Sequence, residues 1–198
     1  MTYESTLIEI VNHIIKCHPE FAQHIESLAA LSLGKGFNSP DKRTEIQTWK
    51  EFLDIEPALA IDIGGNVGDY TQTLLDEFPN IEVHTFEPSS VNIRILKERF
   101  CNNDKVIIVP KGISTKPGIT QLFSDQAGSG MASLTKRDLS HFNISFEQVE
   151  TIETILFSDY QSANISNRVI DIVKIDIEGH ELDALRSFGS AIFNTRLI

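Results

Sequence analysis

From Ala58 to Phe188 the sequence switches repeatedly between two hydrophobic periods, and this alternation limits the available folds more than any other feature. Apolar runs beginning at Ala58 (ALAIDI), Ile81 (IEVHTFE), Lys105 (KVIIVP) and Arg168 (RVIDIVKIDI) read as strands. Helical spacing follows three of them. Tyr70, Leu74 and Phe78 form a stripe over Asp69 to Phe78, SSVNIRILKERF has Ser89 or Ser90 as a suitable cap, and HELDALRSF follows the last strand. Near-continuous apolar strands alternating with helices predict an α/β fold, a doubly wound and mainly parallel sheet covered by helices on both faces. Ligands of such folds sit outside the carboxyl ends of the strands. The glycines after the first strand, Glu87 after the second, and Asp176 and Glu178 after the fourth all fall at such ends.

The period changes between the third and fourth of these strands. GISTKPGITQLFSD predicts a hairpin turning at Pro117-Gly118, GSGMASL a loop of small residues, and FEQVETIETI a strand running into a helical turn. The N-terminal stretch differs in character. Leu7, Ile10, Val11, Ile14 and Ile15 fall on one helical stripe. A second helix is expected from Pro19 through Leu31, and a third over Thr44 to Leu53. Residues 1–55 are therefore expected to form a helical cap, with a lid over a substrate as the alternative, and residues 56–198 the ligand-binding domain.

Composition narrows the partners. Hydrophobic residues make up 41% and charged residues 23% of the 198, a soluble globular balance, and no apolar run reaches the length of a membrane span. Acids outnumber bases 28 to 17, for a formal charge of −11, which argues against nucleic acid as a partner. Small molecules or a protein surface fit better. The N-terminus has no export signal, and two cysteines, Cys17 and Cys101, fit a reducing compartment, so a cytoplasmic location is expected. The sequons at Asn143 and Asn164 are then chance matches.

The stretch AIDIGGNVGDY carries the main functional signal. Gly64, Gly65 and Gly68 lie where a strand must bend sharply into a helix, with a carboxylate, Asp62, just before them. A nicotinamide fingerprint starting at Gly64 requires glycine at positions now held by Asn66 and Asp69, and a phosphate-binding P-loop requires a Gly-Lys-Ser/Thr ending that is absent. What remains, an acid followed by Gly64-x-Asn66-x-Gly68, resembles the first motif of class I S-adenosylmethionine-dependent methyltransferases. More particularly, DIGGNVGDYT, FEPSS, KGIST, GSGMASL, VETIETI and IVKIDIEGHELDALRSFG occur in the order seen in FkbM-type methyltransferases. That resemblance covers about residues 58–190, and its most specific piece runs from Lys174 to Glu181.

The resemblance implies a Rossmann-like fold and S-adenosylmethionine as cofactor, with S-adenosylhomocysteine as product. It implies that Asp62, Gly64, Gly65, Asn66, Gly68, Tyr70, Glu87, Pro88, Gly112 and Asp176 hold that cofactor. Asp62 would serve its amino-acid end and Glu87 its ribose hydroxyls. It further implies methyl transfer to a hydroxyl of a sugar, glycan or secondary metabolite. Asp176 and Glu178 are the candidates for substrate orientation or general-base work, because a hydroxyl must lose its proton as it attacks the methyl carbon. Alternation along the fourth strand would put Lys174, Asp176 and Glu178 on one side, Lys174 pairing with a carboxylate. His180 is read as a helix-start residue outside the chemistry, with base and metal ligand as alternatives; no metal site is expected.

Two other readings stay open: a non-catalytic domain that keeps the cofactor fold, and a nicotinamide-dependent oxidoreductase. The sequence ends at FNTRLI, where a fifth parallel strand would begin, and the closing strands of a seven-stranded methyltransferase sheet are expected to be missing.

Overall fold

The computed structural model describes residues 55–136 and 145–198, together with residues 11–13, 16–18, 43, 46, 49, 50 and 53. The chain divides into two compact units, Met1–Glu51 and Phe52–Ile198. In the first, residues 11–13, 16, 17, 43, 46, 49 and 50 are helical and Ile46 is buried. The second expected helix, from Pro19 through Leu31, lies outside the described residues, as does Asn143.

The second unit is built on a five-stranded parallel sheet. Its strands are β1 (Leu59–Ile63), β2 (Glu82–Phe86), β3 (Val106–Val109), β7 (Ile170–Ile175) and β8 (Thr195–Leu197), in the spatial order β3-β2-β1-β7-β8. Helix α1 (Asp69–Glu77) follows β1, α2 (Ser90–Arg99) follows β2, and α4 (Glu181–Ser187) follows β7. Every residue of β1 is buried, as a central strand of apolar residues should be. Strand order reverses between β1 and β7, which is where an open α/β sheet leaves a crevice at its carboxyl edge. Short β8 pairs parallel with β7 through Ile170 and Ile172, so the last residues begin the fifth strand expected there. Phe86, Phe157 and Phe188 form part of one core with Leu59, Ile61 and Val173, and the Phe157 and Phe188 rings stack at 3.9 Å.

A second, three-stranded sheet has the order β4 (Gly112–Ile113), β6 (Gln148–Ile155), β5 (Gly118–Ser124). The expected hairpin at Pro117-Gly118 does not form. Thr154 of β6 pairs with Gly112 on one side and Gly118 on the other, so β4 and β5 stand two strand spacings apart, roughly 10 Å. A two-residue turn cannot span that gap. The crossing is pinned instead by the Thr154 hydroxyl, which lies 2.8 Å from the Lys116 carbonyl and 3.2 Å from that of Gly118. A short helix α3 (Phe157–Tyr160) and a π-helical turn (Gln161–Ile165) then lead toward β7. No helix among the described residues is long and apolar enough to cross a membrane.

Candidate active site

The bend after β1 is tied to the end of β2. The Gly64 and Gly65 N–H groups both donate to the Phe86 carbonyl at 3.0 Å, and the Gly68 N–H closes the turn onto the Gly65 carbonyl at 2.8 Å. Asn66 takes a left-handed conformation, with φ 49°. That geometry aims the Asn66 N–H at Glu87 Oε2, 2.8 Å away, while the Ser89 N–H donates to Oε1 at 2.9 Å. Glu87 is 6% exposed. Its burial pushes the carboxyl pKa up, against those backbone N–H bonds and an Asn92 side-chain bond that pull it down; the nearby Asp62 pushes it further up. Ser89 occupies the cap position of α2, yet its hydroxyl is buried and makes no hydrogen bond. Carboxylates do the work of the cap: Glu87 takes the Ser89 N–H and Glu150 takes the Ser90 N–H at 2.8 Å.

Sheet register explains a second cluster beneath the bend. Asp62 pairs with Thr85 on β2 and with Lys174 on β7, so the three side chains lie on one face of the sheet. The Thr71 hydroxyl, from α1, donates to Asp62 Oδ2 at 2.8 Å and sits 2.8 Å from the Thr85 hydroxyl, which must then donate to it. Asp62 Oδ1 lies 3.3 Å from Lys174 Nζ, within ion-pair range but without a hydrogen bond. Lys174 Nζ donates to the Gly64 carbonyl at 2.9 Å, stands 3.7 Å from Asp176 Oδ2, and lies 5.5 Å from the centre of the Tyr70 ring. The lysine pairs with two carboxylates and also ties β7 to the glycine bend.

Above the strand ends opens a crevice of about 590 Å³, open solvent at its mouth included. Gly64, Asn66, Glu87, Pro88, Gly112 and Asp176 line it. The other residues expected to hold the cofactor do not. Asp62 is fully buried behind the bend, Gly65 backs onto Thr85, Gly68 packs against Leu96 and Phe100, and Tyr70 is buried against Lys174. Glu178 is also off the lining. β7 ends at Ile175, so Asp176 and Glu178 belong to the turn beyond the strand rather than to its alternating face. In that turn Glu178 has φ 56°, and its carbonyl accepts the Ser133 hydroxyl at 2.9 Å.

His180, expected outside the chemistry, does line the crevice. It caps α4, with Nε2 3.2 Å from Ser114 Oγ and 3.4 Å from Asp183 Oδ2. Ser129, Gly130 and Ser133 of the small-residue loop also reach the lining, together with Lys111, Leu122 and Leu134. The last three carry no local signal in the sequence; β4, β5 and the loop bring them in. Among the described residues no group of three or more His, Cys, Asp or Glu side chains is placed to hold a metal ion.

The sequence model of the methyltransferase FkbM domain matches residues 62–198, more than half of the chain. No curated protein matches the chain. Among solved structures, it is similar to a methyltransferase FkbM from Methylobacillus flagellatus KT, with 18% identity and a TM-score of 0.48 over 72% of this chain and 32% of that one. It is also similar to the plantazolicin methyltransferase BpumL in complex with SAH, with 13% identity and a TM-score of 0.31 over 52% of this chain and 34% of that one. The chain thus spans about a third of the length of these solved proteins. By the match over residues 62–198, the chain belongs to the FkbM methyltransferase domain family.

Proposed function

We propose that the chain is the cofactor-binding and catalytic part of an S-adenosylmethionine-dependent O-methyltransferase acting on a hydroxyl of a sugar, glycan or secondary metabolite. One observation carries this reading: the Glu87 carboxylate sits at the crevice wall, held by the backbone N–H of Asn66 in the glycine bend. An acid presented this way suits a ribose. A carboxylate offers about four acceptor sites, and Glu87 uses two on backbone N–H groups and one on Asn92, leaving room for a ribose hydroxyl. Asn66 Oδ1 supports the fit, being buried in a crevice residue with no hydrogen-bond partner.

When bound, the cofactor supplies an electrophilic methyl group on a sulfonium, and its thioether product leaves as S-adenosylhomocysteine. The chain's own residues then have distinct tasks. Gly64, Asn66, Glu87, Pro88 and Gly112 would receive the nucleoside, and Asp176 would serve beside the reacting group. Asp62 acts from behind the bend, holding Lys174 against the Gly64 carbonyl; Gly65, Gly68 and Tyr70 shape that bend without touching the ligand.

Titration calorimetry with S-adenosylhomocysteine, S-adenosylmethionine and NAD tests the reading. The two sulfur nucleosides are expected to bind and NAD is not; binding of NAD alone would overturn it. Glu87→Ala removes a charge-assisted hydrogen bond of about 1.5–3 kcal/mol, an expected affinity loss of roughly 10- to 150-fold.

A further inference from the structure

Four titratable side chains line the crevice: Glu87, Lys111, Asp176 and His180. Three are already engaged. Both Glu87 oxygens accept backbone N–H groups, Lys111 Nζ lies 2.7 Å from Glu153 Oε1, and Asp176 faces Lys174 across 3.7 Å with its side chain 67% exposed. His180 differs, because both of its polar contacts converge on one ring nitrogen. Nε2 is flanked by Ser114 Oγ and Asp183 Oδ2, and the carboxylate can only accept. Ser114 Oγ already accepts the Lys116 N–H at 3.2 Å and has a second lone pair to offer. The Asp183 carboxylate, 3.4 Å away, favours the neutral tautomer that carries its proton on Nε2 and keeps the Nδ1 lone pair.

The geometry points to His180 as the general base of methyl transfer, acting through Nδ1, with Asp183 and Ser114 as positioning residues. This rests on the methyltransferase reading of the crevice. As the acceptor oxygen bonds to the methyl carbon, that carbon's bond to sulfur breaks and its electron pair goes to sulfur. The hydroxyl proton passes to Nδ1, and the resulting imidazolium returns it to solvent. Imidazole is the side chain most often used for such a transfer. The charged groups that face the ring are Asp183 and Glu181 on α4, and Asp176, in the turn after β7, lines the same crevice. From the β4 side the ring meets Ser114, a hydroxyl without charge. Of the two sequence-based candidates for this task, Asp176 lines the crevice but is paired with Lys174, and Glu178 lies off the lining; a base must reach its proton before its basicity counts.

Nitrogen-15 NMR of the histidine rings in the full chain tests the assignment without an acceptor, the His180 signals being identified by their loss in His180→Gln. The expected result is a neutral Nε2–H tautomer whose Nδ1 resonance moves when S-adenosylhomocysteine saturates the crevice. Asp183→Asn should shift population toward the Nδ1–H tautomer. A dominant Nδ1–H tautomer in the unmodified chain, or a ring indifferent to the bound nucleoside, would overturn the proposal. If calorimetry finds no binding of S-adenosylhomocysteine, the methyltransferase reading fails and takes the base role with it. If binding is intact and the ring is indifferent, only the base role is lost.

Discussion

Lys174 is the residue on which two demands meet. Its side chain is 14% exposed and it compensates Asp62, which has no exposure at all. Removing one partner of a buried ion pair costs far more than removing both, because an uncompensated charge is left out of water. Lys174→Met is therefore expected to destabilise the fold by about 3–5 kcal/mol, and Asp62→Asn added to it to recover much of that loss. Urea denaturation of the single and double variants measures both. Additive losses would mean that the two charges do not compensate each other. The same lysine donates to the Gly64 carbonyl, so its loss also frees one end of the glycine bend.

At the scale of elements, the bend between β1 and α1 works through close approach. A side chain at Gly64 would place its Cβ 2.0 Å from the Asp176 carbonyl oxygen, on a residue whose φ is 87°. Gly179 has a comparable φ of 96° but nothing within 4 Å. Gly179→Ala should then cost only the left-handed backbone penalty, about 1–2 kcal/mol. Gly64→Ala should cost clearly more, because the neighbouring atom is backbone of the turn after β7 and cannot swing aside. Thermal unfolding of the two variants side by side distinguishes the contributions, and equal losses would mean the strands separate at no cost. The Gly64 variant is also expected to weaken S-adenosylhomocysteine binding, since it pushes apart the two walls that carry Gly64 and Asp176.

For the whole molecule, two buried titrating groups pull stability in opposite directions with pH. Burial pushes the His84 pKa below its ordinary 6.5, against the Glu82 hydrogen bond that pulls it up. A neutral ring fits its partners, with the Tyr160 hydroxyl 2.7 Å from Nδ1 and Glu82 Oε1 2.9 Å from Nε2; burial in turn pushes the Tyr160 pKa up to about 12. A depressed histidine contributes stability that is present above 6.5 and lost as pH falls toward its folded value. Glu87 is raised above 4.5, so its contribution is present below 4.5 and lost as pH rises through its folded value. The net curve mixes the two, but a variant separates them. His84→Asn should lower stability at neutral pH and flatten its decline below pH 6.5. Denaturation across a pH series checks this; parallel curves for the two proteins would mean that His84 does not titrate on unfolding.

The order of strands and helices was legible because burial on both faces demands continuous apolar runs, and a covering helix demands its own period; both are local properties of the chain. The position of the acid-and-glycine bend and of Glu87 at the ends of β1 and β2 was legible for the same reason, since a strand end and the turn after it are neighbours in sequence. Local reasoning failed where partners come from distant segments. Pro117-Gly118 carries a turn signal, but β6, some thirty residues later, inserts between the strands that turn would have joined. The burial of Asp62 was likewise out of local reach, because it is set by register with Thr85 and Lys174. His180 looked like a simple helix start, and only the packing of β4 against α4 brings Ser114 to its ring and the ring to the crevice. Periodicity thus determines which elements form and where a ligand can sit. Which side chains face that ligand depends on strand register and crossing loops, whose free energies are summed over contacts between residues far apart in the chain.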